Sequence, residues 1–162
     1  MNTQPLPASE QEQVQLQVQD QRKVLQLLDK YAESHRHPHN EIIHFICVPV
    51  IMWTVLALLW AVHPLLAVAG SILALLYYFS LSVGFALGMC LMATLMLGVL
   101  WWMPQELVLR VAIIVFVIAW IFQFIGHKIE GKKPSFFEDL RFLLIGPLFV
   151  ISFLYRRWKL TY

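Results

Sequence analysis

One uncharged stretch restricts the fold of this chain more than any other feature. From Ile42 to Gln105 the sequence runs for 64 residues without an Asp, Glu, Lys or Arg. About 20 apolar residues suffice for one transmembrane helix, whereas a soluble helix of comparable length needs a polar face toward water. Charged residues make up only 14% of the whole chain, against about 25% in soluble domains. The sequence therefore predicts an integral membrane protein.

Proline and glycine positions divide the apolar region into helices. We predict an all-α membrane bundle of four transmembrane helices, with Asn40 as the N-cap of the first. The predicted transmembrane helices are residues 41–62, 65–83, 85–103 and 107–125. Before them we expect a disordered N-terminus at residues 1–9 and an amphipathic helix at residues 10–34, where apolar side chains recur at helical spacing. Residues 10–162 form a single membrane domain in this interpretation.

A last apolar segment, residues 142–155, is only 14 residues long and contains Gly146-Pro147. That length is short for a straight transmembrane helix. We expect a partly inserted or re-entrant segment buried against the other helices, where a broken backbone finds hydrogen-bond partners.

The basic residues predict the orientation in the membrane. Four transmembrane helices put the N-terminal segment and the loop after the fourth helix on one side, which holds eight Lys and Arg, whereas the opposite side holds only Arg110. The positive-inside rule makes the crowded side cytoplasmic, so both termini are expected in the cytoplasm. The segment before the first helix lacks the apolar stretch of a cleavable signal peptide. Cys47 and Cys90 fall within predicted transmembrane helices, so we expect no disulfide framework.

Histidines mark both ends of the apolar region. Four of the six lie in residues 35–44, and His127 follows the fourth predicted transmembrane helix. The predicted topology brings His35, His44 and His127 to one membrane face, with Glu130 on the same helical face as His127. Imidazoles with a carboxylate suit Fe(II), and also Zn or Mn. We interpret the other three histidines (His37, His39 and His63) as interfacial polar residues.

Two sequence patterns carry a family resemblance. The first is Tyr-x3-His-x4-Asn-x3-His-x4-Pro from Tyr31 to Pro49, and the second runs from Trp120 to His127 and continues to Glu130, Lys133-Pro134 and Gly146-Pro147-Leu148-Phe149. Together they resemble the signatures of a family of small membrane 2-hydroxy fatty acid dioxygenases, over most of the chain. Residues 128–137 resemble bacterial members more than fungal ones, which implies a bacterial inner membrane.

The resemblance implies an Fe(II)-dependent dioxygenase that shortens 2-hydroxy fatty acids by one carbon, in fatty acid α-oxidation. His35, His44 and His127 match the essential histidines of the family, and Glu130 is a further candidate ligand. Asn40 and Gln123 are expected to orient the ligands. The substrate carboxylate is expected to meet one of four basic residues: Arg36, Lys128, Lys132 or Lys133.

The expected partners are the lipid bilayer, a 2-hydroxy fatty acid and O2. Assembly into a homo-oligomer stays open, and a net charge of +2 gives no reason to expect nucleic acid. Two other functions remain open from the residues alone. One is a non-catalytic scaffold or assembly protein. The less favoured one is a small transporter, because the chain shows no inverted repeat of broken helices.

Overall fold

The computed structural model describes residues 24–32, 37–131 and 144–157, together with Pro7, Glu10 and Gln11. The regular elements in these ranges are all α-helices, which we number in chain order. They are α1 (residues 24–32), α2 (Pro38–Val62), α3 (Pro64–Leu81), α4 (Val83–Trp102), α5 (Gln105–Glu130) and α6 (Ile145–Arg157). Most of the predicted amphipathic helix and, apart from Pro7, the predicted disordered N-terminus lie outside the described residues.

The four helices α2 to α5 are each long and apolar enough to cross a membrane. The prediction of an all-α membrane bundle is therefore confirmed. Helix α5 extends to Glu130, five residues past the predicted end, because Gly126 is accommodated within the helix and Gly131 is the residue that ends it. That glycine adopts a left-handed conformation with φ of 75° and ends the helix, as glycine does at many helix C-termini. His127 and Glu130 consequently lie on one continuous helix.

Two His-Pro pairs begin α2 and α3. In each pair the histidine is the N-cap and the proline is the first helical residue, where its missing N–H and fixed φ cost nothing. The ring Nδ1 of His37 accepts from the backbone N–H of His39 at 3.3 Å, and that of His63 accepts from Leu65 at 3.2 Å. The predicted N-cap, Asn40, is wrong by one turn, because His37 has the extended backbone of a cap and Asn40 is already helical.

Helices α2 and α5 run antiparallel along their length. At one end the Asn40 side chain of α2 hydrogen-bonds Glu130 of α5, and at the other the Gln105 side chain donates to the carbonyl of Trp60 at 3.4 Å. We call the end with Asn40 and Glu130 the histidine end. Helices α3 and α4 pack beside them, and α3 ends and α4 begins at the histidine end.

Helix α6 lies entirely in the half of the bundle nearest the histidine end. Its residues Ile145 to Ser152 are all buried, and its 13 residues span about 20 Å, less than the roughly 30 Å of a bilayer core. Pro147 lies in the first turn, where proline is tolerated, so Gly146-Pro147 begins the helix instead of breaking it. The hydroxyl of Tyr155 donates to the carbonyl of Gly84 at 2.7 Å.

Gly88 of α4 lets α6 approach closely. Gly84 and Gly88 are spaced four residues apart, and a Cβ at Gly88 would lie only 3.1 Å from a methyl group of Ile151. Small residues at this spacing bring helices into close contact in membranes. The local sequence therefore fixes α6 against the start of α4.

Candidate functional site

His44 of α2 and His127 of α5 lie side by side at the histidine end. Their ring centroids are 5.0 Å apart with an interplanar angle of 79°. Only 3% of His44 and 5% of His127 is exposed. The antiparallel pairing of α2 with α5 thus brings together two imidazoles from the two ends of the apolar region, in a place shielded from solvent.

Tyr31 of α1 orients His44. Its hydroxyl oxygen lies 3.2 Å from Nδ1 of His44, in a buried hydrogen bond whose direction depends on the imidazole tautomer. The Tyr31 ring in turn packs against Phe149 of α6, with centroids 5.2 Å apart. Because Nδ1 is engaged by Tyr31, a metal at His44 would be bound through Nε2, which is also buried. This division of the two nitrogens is usual for metal-binding histidines.

Glu130 joins the end of α5 to the start of α2. Its Oε2 accepts from the backbone N–H of His37 at 2.9 Å and from Nδ2 of Asn40 at 3.0 Å. A carboxylate is favourable at a helix N-terminus, because the first N–H groups there point outward and carry partial positive charge. Asn40 is fully buried, so this charge-assisted contact fixes the relative position of the two helices one turn from the imidazole pair.

Gly126 permits that approach. A Cβ at this position would overlap Oδ1 of Asn40 and would come within 3.4 Å of a methyl group of Ile43. Only glycine leaves room for the Asn40 amide between the helices. The glycine directly before His127 is therefore a spacing residue for the site.

Gln123 lies one turn before His127 and is 4% exposed. Its Oε1 is buried and has no hydrogen-bond partner among the described residues. Buried amide oxygens are normally satisfied. The Gln123 carboxamide is thus a polar group available inside an otherwise apolar wall, near the imidazoles.

The remaining predicted site residues fall into two groups. Lys128 is exposed in the last turn of α5. His35, Arg36, Lys132 and Lys133 lie outside the described residues. Within residues 24–32, 37–131 and 144–157, no three His, Cys, Asp or Glu side chains are close enough to hold one metal ion. The described part of the site therefore offers the two imidazoles as its pair of adjacent candidate ligands.

Three features of this site were not assigned from the sequence. Tyr31 stands in the quoted Tyr-x3-His pattern, but nothing in the spacing says that it contacts the second histidine of that pattern. The capping role of His37 has a local signal, the His-Pro pair. The role of Gly126 has none, because a glycine within a transmembrane helix has several common explanations.

These features define a class: a helical membrane protein with a buried histidine pair where its first and last long helices meet. Residues 21–158 match the sequence model of a family described as 2-hydroxy-palmitic acid dioxygenase Mpo1-like. The chain belongs to this family. It is also 30% identical over 140 residues to the 2-hydroxy-palmitic acid dioxygenase MPO1 of Saccharomyces cerevisiae, an alignment that covers 78% of this chain and 76% of the yeast protein. No solved structure matches.

Proposed function

We propose that this protein is an Fe(II)-dependent dioxygenase that cleaves 2-hydroxy fatty acids between C1 and C2 at the cytoplasmic face of the membrane. The observation that carries the proposal is the buried contact between His44 and His127 in a member of this family. The cytoplasmic assignment rests on the distribution of basic residues.

The residues present fit an iron ion. Imidazole nitrogens are suitable ligands for Fe(II), and the two rings are adjacent, buried and held by separate rigid helices. We assign the third imidazole to His35, which stands three residues before Pro38, the first residue of α2, and lies outside the described ranges. Glu130 accepts from the backbone of His37 and from Asn40, so we assign it to holding the two helices together instead of to the metal.

The protein's own residues hold the ligands in place. Tyr31 fixes one nitrogen of His44, and the Asn40–Glu130 contact fixes the spacing of α2 and α5. Such supporting contacts commonly change metal affinity or activity by 10–100-fold when they are removed. The bound iron would supply the activation of O2, which the side chains cannot perform.

The substrate suits the boundary position of the site. A 2-hydroxy fatty acid can keep its acyl chain among the apolar helices while its carboxylate reaches the polar surface at the histidine end. We assign the electrostatic contact with the carboxylate to one of four basic residues: Lys128, Arg36, Lys132 or Lys133. The Gln123 carboxamide, as a buried polar group one turn from His127, is suited to a hydrogen bond with the 2-hydroxyl.

The reaction balances without another reductant. One 2-hydroxy acid and one O2 give a fatty acid one carbon shorter, one CO2 and one water. The carbon atoms C1 and C2 together lose four electrons, and O2 accepts four. A pocket that holds the substrate in place favours this reaction because it keeps the reacting groups aligned. Exclusion of water from the pocket also prevents side reactions with water.

The test uses protein purified in mild detergent, loaded with Fe(II) without oxygen and then given O2 and 2-hydroxypalmitate. We expect pentadecanoic acid, detected by mass spectrometry, and near-stoichiometric iron by elemental analysis. His127→Ala is expected to lose both. His63→Ala is the matched control, because His63 caps α3 at the opposite end of the bundle, and it should retain both.

Two results would overturn the proposal. Well-folded protein that stays inert after Fe(II) is supplied would favour a non-catalytic scaffold. Activity that survives in His127→Ala to the same extent as in His63→Ala would refute the ligand assignment.

A further inference from the structure

An apolar cavity of about 120 Å³ lies between α2, α3 and α4. Two residues with hydroxyl groups line this cavity, and both hydroxyls donate to backbone carbonyls. Ser71 donates to the carbonyl of Ala67 at 2.8 Å, and Tyr78 donates to the carbonyl of Leu144 at 2.8 Å. Apolar cavities of this size stay dry and accept hydrocarbon.

The cavity lies directly along α2 from the candidate site. Met52, Val55 and Leu59 of α2 line it, and they share a helical face with His44 and Val48. At 1.5 Å per residue, Met52 lies about 12 Å and Leu59 about 22 Å from His44 along the helix. One leaflet of a bilayer core, which one acyl chain fills, is about 15 Å thick. A fatty acid with its head at His44 therefore brings the end of its chain to this depth.

The start of α6 contacts both the cavity and the surroundings of His44. Leu144 lines the cavity. Two residues later, Gly146 faces Val48 and Tyr31: a Cβ there would lie 2.9 Å from a Val48 methyl group and 3.2 Å from the Tyr31 hydroxyl. That same hydroxyl contacts His44. Tyr31, Val48 and Gly146 therefore pack closely between the imidazoles and the cavity, and the eight residues from His44 to Met52 make about two turns of α2.

We propose that this cavity receives the terminal methylenes of the acyl chain and that its floor, formed by Gly70 and Leu59, sets the longest chain accepted. The inference rests on the proposed function and adds a chain-length determinant to it. Because α3 runs toward the histidine end, Gly70 lies at the far end of the cavity from His44, and Tyr78 lies at the near end.

We expect the cavity to affect the selectivity between chain lengths more than the affinity for the fatty acid. Lipid tails are as apolar as the side chains of the wall, so a chain that leaves the bilayer for the cavity gains little free energy. A chain too long for a closed floor is excluded sterically, and one methylene in a fitted pocket changes specificity by about 10–200-fold.

The first experiment compares substrates. A Cβ at Gly70 would lie 3.3 Å from Cδ1 of Leu59, so Gly70→Leu fills the floor. We expect it to lower the ratio of kcat/KM for 2-hydroxypalmitate over 2-hydroxylaurate at least tenfold, and Gly70→Ala to shift the ratio less, in the same direction. Gly98→Leu is the matched control, because a Cβ there meets nothing within 4 Å, and it should keep the wild-type ratio.

The second experiment needs no turnover. Iron-free protein is irradiated with palmitate that carries a diazirine on its terminal carbon, and the labelled peptides are identified by mass spectrometry. Label is expected near Leu59 and Gly70, lost in Gly70→Leu and kept in Gly98→Leu. Labelling that is confined to lipid-facing residues, or that Gly70→Leu leaves unchanged, would overturn the cavity proposal.

The two proposals fail separately. Correct labelling without pentadecanoic acid would refute the proposed reaction and keep the binding site. Normal turnover with an unchanged chain-length profile in both Gly70 variants would refute the binding site and keep the reaction.

Discussion

Replacing Gly126 with alanine tests how tightly α2 and α5 must pack for the site to form. The added methyl group would overlap Oδ1 of Asn40, and Asn40 cannot retreat freely because it is fully buried and bonded to Glu130. Two responses remain. Either the helices separate, with an overpacking cost of about 1–3 kcal/mol, or Asn40 leaves the carboxylate and gives up about 1.5–3 kcal/mol.

Alanine also has a helix propensity about 1 kcal/mol more favourable than that of glycine. This gain would hide part of the destabilisation that the clash causes in Gly126→Ala. Gly98→Ala carries the same gain without a clash, because its Cβ meets nothing within 4 Å. The difference between the two variants therefore isolates the clash, and we expect Gly126→Ala to be less stable than Gly98→Ala by about 1–3 kcal/mol.

The assay is reversible unfolding in mixed micelles by titration with SDS, followed by tryptophan fluorescence. The double variant Asn40→Ala/Gly126→Ala checks the cause, since the added methyl group should cost little once the Asn40 side chain is gone. Equal stability of Gly126→Ala and Gly98→Ala would refute the close approach of α2 and α5 at this point.

Three further predictions concern the contacts around the histidines and the packing of α6. Tyr31→Phe keeps the packing on Phe149 but removes the hydroxyl at His44, and should weaken Fe(II) binding about 10–100-fold in an anaerobic titration; unchanged affinity would show that the hydroxyl does not orient the imidazole. Glu130→Gln keeps an acceptor for the start of α2, so its free energy of unfolding in the SDS titration should exceed that of Glu130→Ala by about 1–3 kcal/mol. Identical stabilities of the two variants would count against the bridging role of Glu130. Gly88→Val places a Cβ within 3.1 Å of Ile151 and should expose α6 to limited proteolysis, whereas Gly98→Val should not.

The number and type of the helices could be predicted from the sequence because the signal is long and nearly uniform. An uninterrupted run of apolar residues has one stable outcome in a bilayer. The ends of the helices were harder to predict, because a transmembrane helix can continue into polar residues beyond its apolar segment. Helix α5 continues through His127 and Glu130 until Gly131 ends it.

The proximity of His44 and His127 also followed from topology, because an even number of transmembrane helices returns the chain to its starting side. Contacts that depend on side-chain direction did not follow. The hydrogen bond between Tyr31 and His44, and the overlap of Asn40 with a Cβ at Gly126, depend on how α1, α2 and α5 rotate about their axes. Helical spacing within one segment contains no information about that rotation.

The bridge from Glu130 to His37 and Asn40 has a consequence for biosynthesis. Helix α2 leaves the ribosome first among the long helices, and α5 leaves last. More than eighty further residues must therefore be synthesised before Asn40 can contact Glu130 and His44 can contact His127. During that interval their polar atoms depend on water or headgroups at the membrane surface. A chain truncated before α5 would therefore expose unsatisfied polar groups on α2, which quality-control proteases of the membrane could recognise.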